Sequence, residues 1–149
     1  MKFYRTSLCM AAIVLLTGCS DNKRNINEEI SDCAKVFSES FFNFDFKTSF
    51  SLCSPDNNGW LRMYVSSVTE EDIKVIQAVE ESPTVKVERT EAWGDSLAVA
   101  WVKVGNALLL DSIAAAKSPT LHDATMKLYM ENRRGKWLVR KADLQRNGK

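Results

Sequence analysis

The feature that most constrains this chain is a change of period at Pro83. Before it, apolar residues recur every three or four positions; after it they recur every second. Ile26, Ile30, Cys33, Phe37, Phe41 and Phe44 are spaced by 4, 3, 4, 4 and 3 residues, which puts them on one stripe of an amphipathic helix. Glu28, Glu29 and Asp32 crowd its first turns, where negative charge suits the helix dipole. The helix should stop near Asn43-Phe44-Asp45. A second, short helix fits Asp45 to Cys53 and ends at the turn-forming run S-P-D-N-N-G. Thr69 is a natural N-cap for a third helix running to about Glu81, with Glu70, Glu71 and Asp72 in its first turn. Ile73, Ile76, Ala78 and Val79 would form its buried face, and Pro83 ends it.

Beyond Pro83 the pattern is that of strands. Val85 and Val87 alternate within Thr84–Trp93, and Gly94-Asp95 marks a turn. Leu97–Val104 (L-A-V-A-W-V-K-V) is almost continuously apolar, as in a strand covered on both faces, with Trp101 in the core. Met126, Leu128 and Met130 alternate with Lys127, Tyr129 and Glu131 over residues 124–131. Arg134-Gly135 then turns the chain into Lys136–Ala142. Residues 105–123 are long for a plain connection; Leu108 to Ile113 extend the second strand and residues 114–122 form an excursion. Helices first, then an antiparallel meander, predict an α+β fold in which N-terminal helices pack on a curved antiparallel sheet.

The N-terminus is a separate matter. Lys2 and Arg5 precede the apolar core Leu8–Leu16, which is far shorter than the roughly 20 residues that cross a bilayer. It leads into Leu16-Thr17-Gly18-Cys19, which resembles the bacterial lipobox. That resemblance implies cleavage before Cys19, a diacylglycerol thioether on its sulfur and acylation of the new terminus. At about 0.8 kcal/mol per buried methylene, three acyl chains make a firm anchor. The chain thus divides into a signal peptide (1–18), a lipidated polar tether (19–27), one domain (28–146) and a tail (147–149). Asp21 stands two positions after Cys19 rather than beside it, from which an outer-membrane rather than inner-membrane location is expected, facing the periplasm or the surface. Removing Lys2 and Arg5 takes the net charge from +1 to −1. A near-neutral domain has no global field to gather nucleic acid, so none is expected as a partner.

Only Cys33 and Cys53 fall inside the domain. Cys33 lies 11 residues before Phe44 and Cys53 lies 9 after it, so on antiparallel helices both come to the same height. In an oxidising compartment a Cys33–Cys53 disulfide is reasonable, and closing a loop of about 20 residues would stabilise the fold by roughly 3 kcal/mol. Two buried free thiols acting as small hydrophobes are the alternative. One histidine and no CxxC leave too few ligands for a closed zinc site, and no phosphate-cradling loop is present; no metal or cofactor is expected.

The run F-N-F-D-F-K-T-S-F, Trp60 after the next loop, S-S-V-T-E-E-D entering a helix, and G-K-W-L-V-R-K near the end are together similar to lipoproteins of Bacteroidales type with a nuclear transport factor 2-like (cystatin-like) cone domain. The resemblance covers about residues 28–146. It implies a cone closed by helices on a curved sheet, and it transfers no functional residue. Such cones are binding pockets or enzymes with a polar pair inside, and the fold alone does not choose. His122-Asp123 is the one adjacent His/acid pair, but neighbours on a strand point to opposite faces, and a solvated histidine is the plain alternative. Tyr129, His122 and Trp137 are the candidate pocket residues, with core and cross-strand packing as the alternative for the aromatics. The expectation is a membrane-anchored envelope lipoprotein whose domain binds a protein or small-molecule partner; the competing reading is an isomerase or hydrolase using the cone. A binding module predicts a filled cone with its exposed apolar surface on the convex face, and an enzyme predicts a cavity in which His122, Tyr129 or an acid such as Glu88 has a partner.

Overall fold

In the computed structural model, which describes residues 20–110 and 121–146, the helical stripe becomes α1 (Ser20–Phe42). Ile30, Ala34, Phe37 and Phe41 along it are buried, and Ile26 and Cys33 pack against them. The segment read as an irregular tether is helical from Ser20 onward. Packing explains the extension, because Ile26 lies one helical period before Ile30 and is itself seated on the core. Cys19, the signal peptide, residues 111–113 of the expected strand extension, residues 114–120 of the excursion and the tail 147–149 lie outside the described residues.

α1 ends where the sequence suggests, by a device the sequence hides. Phe44 takes the left-handed conformation (φ 58°), its N–H donates to the Phe41 carbonyl at 3.2 Å, and the Asp45 N–H donates to the Ser40 carbonyl at 2.9 Å. This is a Schellman ending with phenylalanine in the place glycine usually takes, which costs about 1 kcal/mol of backbone strain. Asp45 then caps α2 (Phe46–Ser51), its carboxylate accepting the Thr48 N–H. The hydroxyls of Ser40 and Ser49, both buried, meet at 2.8 Å and satisfy each other between the two helices.

A 3-10 turn at Pro55–Asn57 leads into α3 (Gly59–Ser66), a helix the turn-rich sequence around it conceals. It delivers four residues to the core: Leu61 is buried, Val65 packs against the cluster, and Trp60 and Tyr64 pack against the phenylalanines of α1. α4 (Glu70–Ala78) starts at the expected capping box. The Asp72 N–H donates to Thr69 Oγ1 at 3.2 Å and the Thr69 N–H donates to Asp72 Oδ2 at 2.8 Å. Its apolar face is not buried as expected: Ile73 is 45% exposed and Ala78 is exposed, while Ile76 and Val79 are half-buried.

The sheet is an antiparallel meander in the order β1-β2-β3-β4, made of β1 (Thr84–Trp93), β2 (Leu97–Leu108), β3 (Leu121–Arg133) and β4 (Lys136–Arg146). Three irregularities bend it, at Glu88 in β1, around Gly105-Asn106 in β2 and at Arg140 in β4. Each also resets which parity faces the helices. Val85 and Val87 pack inward, whereas Arg89 beyond the bulge stands outward opposite Trp101. Gly105 permits close approach in β2, since a Cβ there would sit 2.6 Å from Thr84 Oγ1. Residues 52–54 run beside β4, with the Val139 N–H donating to the Leu52 carbonyl and the Ser54 N–H to the Val139 carbonyl, both at 2.8 Å, so this chain covers that edge.

Candidate functional site

The concave side of the sheet presents Ala98, Ala100, Val102 and Val104 from β2, Ala124, Met126, Leu128 and Met130 from β3, and Trp137 and Val139 from β4, all buried in one cluster with α1. Aromatic rings fill the space between. Phe37 and Phe41 stack at 5.9 Å, Tyr64 lies 4.8 Å from Phe41, and Trp60 lies 6.1 Å from Phe37. The Trp60 N–H is satisfied by the Arg140 carbonyl at 2.9 Å. The interior is therefore packed with small strand side chains against large helical ones.

The three candidate pocket residues do not converge. Trp137 is in the core cluster, and its indole N–H has no hydrogen-bond partner among the described residues. It borders a surface groove of about 280 Å³ with Glu29, Asp32, Cys33, Leu52 and Lys136. His122 is half-buried near the start of β3 opposite Ala107. Tyr129 lies on the convex face, because its neighbours Leu128 and Met130 point inward. Glu88 sits at the β1 bulge, paired with Lys103 at 3.2 Å.

The two cysteines expected to form a bridge are free thiols. Cys33 Sγ donates to the Trp137 carbonyl at 3.2 Å. Burial pushes the Cys33 thiol up to about 11, against a smaller lowering by Lys136. Burial, with a further contribution from Cys33, pushes Cys53 up to about 12. Thiols held in the protonated form are poor nucleophiles and slow to exchange, so each behaves as a small hydrophobe.

The convex face, where a binding module is expected to expose apolar surface, carries polar and cationic side chains instead. Trp101, expected in the core, is on this side and half-exposed, with the Arg89 guanidinium 3.7 Å above its ring and Lys127 Nζ at 5.4 Å. Lys127 also lies 4.9 Å from the Tyr129 ring, and Lys141 lies 5.5 Å from the same ring. Arg89, Trp101, Lys127, Tyr129 and Lys141 thus interleave cation and ring across all four strands. Next to this row, Lys86 and Lys103 stand directly opposite each other in the ladder and line a groove of about 260 Å³ with Thr84, Gly105 and Asp123. Lys103 pairs with Glu88, and Lys141 with Asp143 at 2.7 Å. Among the described residues, Lys86, Arg89 and Lys127 have no ion-paired carboxylate. Val99, between Glu91 and Tyr129 in the ladder, is 1% exposed on this face.

At its far corner the face is tied to the helical layer. Glu131 accepts a hydrogen bond from Ser54 Oγ, and both Arg133 Nε at 2.6 Å and Arg140 Nε at 3.4 Å pair with it. Arg133 continues to Asp56 at 2.7 Å. These partners leave that carboxylate a brace and not a free acid. Among the described residues, no cluster of three metal-ligating side chains occurs and no helix is long and apolar enough to cross a membrane.

No family model matches the sequence, and no curated protein matches it. Solved structures do match. The chain is similar to an NTF2-like protein of unknown function from Shewanella baltica OS155, with a TM-score of 0.52 and 13% identity over 89% of this chain and 99% of that one. It is also similar to the Chlamydamonas reinhardtii CamKII hub homology domain, with a TM-score of 0.54 and 11% identity over 82% of this chain and 98% of that one. The fold is accordingly NTF2-like: helices packed on a four-stranded antiparallel sheet, in the α+β class.

Proposed function

We propose that this chain is a lipid-anchored cell-envelope protein whose single domain is a binding module, and that it holds its partner on the convex face of the sheet. The observation that carries the binding reading is the contrast between a cone filled by Phe37, Phe41, Trp60 and Leu61 and an outer face where Arg89 and Lys127 are held over Trp101. Binding proteins concentrate aromatic and arginine side chains where partners dock. An enzyme using the cone would need an oriented polar pair inside it; Tyr64 and Asp72 come nearest to one, and there the Asp72 carboxylate is engaged by the Thr69 N–H and hydroxyl. The anchoring half of the reading rests on L-T-G-C at residues 16–19 after a short apolar core. With Cys19 as the lipidated residue, the position of Asp21 two residues further on favours the outer membrane, facing the periplasm or the surface.

Replacing Cys19 by Ala and fractionating cells that express the full chain tests the anchor. The wild type should partition into the membrane fraction and incorporate labelled palmitate; the variant should do neither. A variant that remains membrane-bound and labelled would refute lipidation at Cys19.

A further inference from the structure

We infer that the partner held on the convex face is an acidic, extended peptide segment whose carboxylates pair with Lys86, Arg89 and Lys127. This rests on the binding-module reading and narrows it to one chemistry.

The cations are arranged at a cost that a purely structural surface would avoid. Lys86 and Lys103 face each other directly in the β1–β2 ladder, where like charges are destabilising, and only Lys103 is relieved, by Glu88. One row further, the Arg89 guanidinium carbon stands 3.7 Å over the Trp101 ring, and no carboxylate of the described residues is ion-paired with its N–H groups. Lys127 is steadied between Trp101 and Tyr129 with no ion-paired acid among the described residues. With residues 1–18 removed the formal charge is −1, so unpaired cations gathered on one face are a local feature, not a consequence of a basic composition.

Geometry selects the class of anion. The ring faces of Trp101 and Tyr129 are already covered by cations, which leaves little for a nucleobase or a sugar to stack upon. The two cationic rows are two strand positions apart, since Lys103 and Trp101 are alternate residues of β2. At about 3.3 Å per residue that separation is about 6.6 Å. Alternate side chains of an extended peptide repeat at the same distance. A segment with acids at every second position, lying along the strands, would place successive carboxylates on the Lys86–Lys103 row and the Arg89–Lys127 row.

Fluorescence anisotropy on the full-length chain in mild detergent, with a labelled peptide of alternating Glu and Ser, tests this. The peptide should bind, a Gln-Ser peptide should not, and affinity should fall by about tenfold or more as NaCl rises from about 0.05 to about 0.5 M. R89Q and K127Q should each weaken binding by about threefold or more and together by about tenfold or more, whereas K35Q, on α1, should leave it unchanged. Equal binding of the Gln-Ser peptide, or indifference to R89Q and K127Q in a folded variant, overturns the inference. So does tighter binding of heparin or of an oligonucleotide through the same residues. A photo-crosslinker at Gln145, exposed on the same face, separates the two layers of the argument in intact cells. An adduct whose cross-linked segment alternates acids supports both. A reproducible adduct without acidic-peptide binding retains the binding module and sinks the peptide. Neither adduct nor peptide binding sinks both.

Discussion

The two faces of one sheet are built on opposite principles. On the concave face, β2 and β3 contribute Ala98, Ala100, Val102, Ala124 and Met126, and bulk comes from helices that lay Phe37, Phe41, Trp60 and Leu61 across them. Among the described residues no helix packs on the convex face, where long polar side chains stand beside the buried Val99 and Leu138. A face sealed by packing loses stability when a side chain is shortened, because the rigid surroundings cannot collapse into the gap. A face sealed by solvated side chains can exchange water for a partner at little structural cost. The concave side is therefore the stability half of the domain, and the convex side is the half that the proposed binding role would use.

That contrast can be broken by experiment. Phe37→Ala should have the largest effect, a loss of about 3–5 kcal/mol in chemical denaturation, because Phe37 is fully buried and stacks on Phe41 and Trp60. If Phe37→Ala costs no more than a surface change, the filled cone is misread. A smaller effect should follow alkaline pH. Well below the ordinary thiol value of 9.0 the thiols are protonated in both the folded and unfolded chain, and they contribute no pH dependence. Above it the unfolded thiols ionise while Cys33 and Cys53 stay protonated to about 11 and 12, so the unfolded state binds fewer protons and stability falls as pH rises. Each thiol should account for about 1 kcal/mol by pH 10. Tyr64, raised to about 12 by burial and by Asp72, adds to the same trend at higher pH. The double variant C33A/C53A should flatten the melting-temperature profile between pH 9 and 11, and an unchanged slope would remove the thiols as its cause. The smallest effect belongs to Arg89→Gln, which removes one exposed cation–π contact worth about 0.5–1 kcal/mol. A loss as large as that of Phe37→Ala would make the convex face structural and erase the distinction.

Much of the concave half is legible in the chain. The 3.6-residue stripe from Ile26 to Phe41 and the alternation of Met126, Leu128 and Met130 are each repeated often enough to fix which side of an element is wet. The Thr69 capping box is equally local, two hydrogen bonds made within three residues. α3 was not legible, because Gly59 and the S-P-D-N-N-G run before it read as loop, and its helix is held by docking Trp60, Leu61 and Tyr64 onto α1. Trp101 misleads for a related reason. An almost unbroken apolar strand looks covered on both sides, but its second cover is Arg89 and Lys127, which come from other strands. Only the bulge at Glu88 turns Arg89 toward Trp101; simple alternation would have pointed it, like Val85 and Val87, into the core.

By itself the sequence determined the elements whose partners are near in the chain: the first helix and its apolar side, the capped fourth helix, four strands in meander order, and hence an α+β fold of helices on an antiparallel sheet. Periodicity and capping are local, so they survive without knowledge of what they pack against. The tertiary structure decided the rest: that aromatic side chains from three helices fill the cone, that Cys33 donates to the Trp137 carbonyl across 104 residues instead of bridging Cys53, and that Arg89, Trp101, Lys127, Tyr129 and Lys141 form one cluster of cations and rings. Those outcomes depend on strand register, and register is set by bulges and long-range packing that no window along the chain contains.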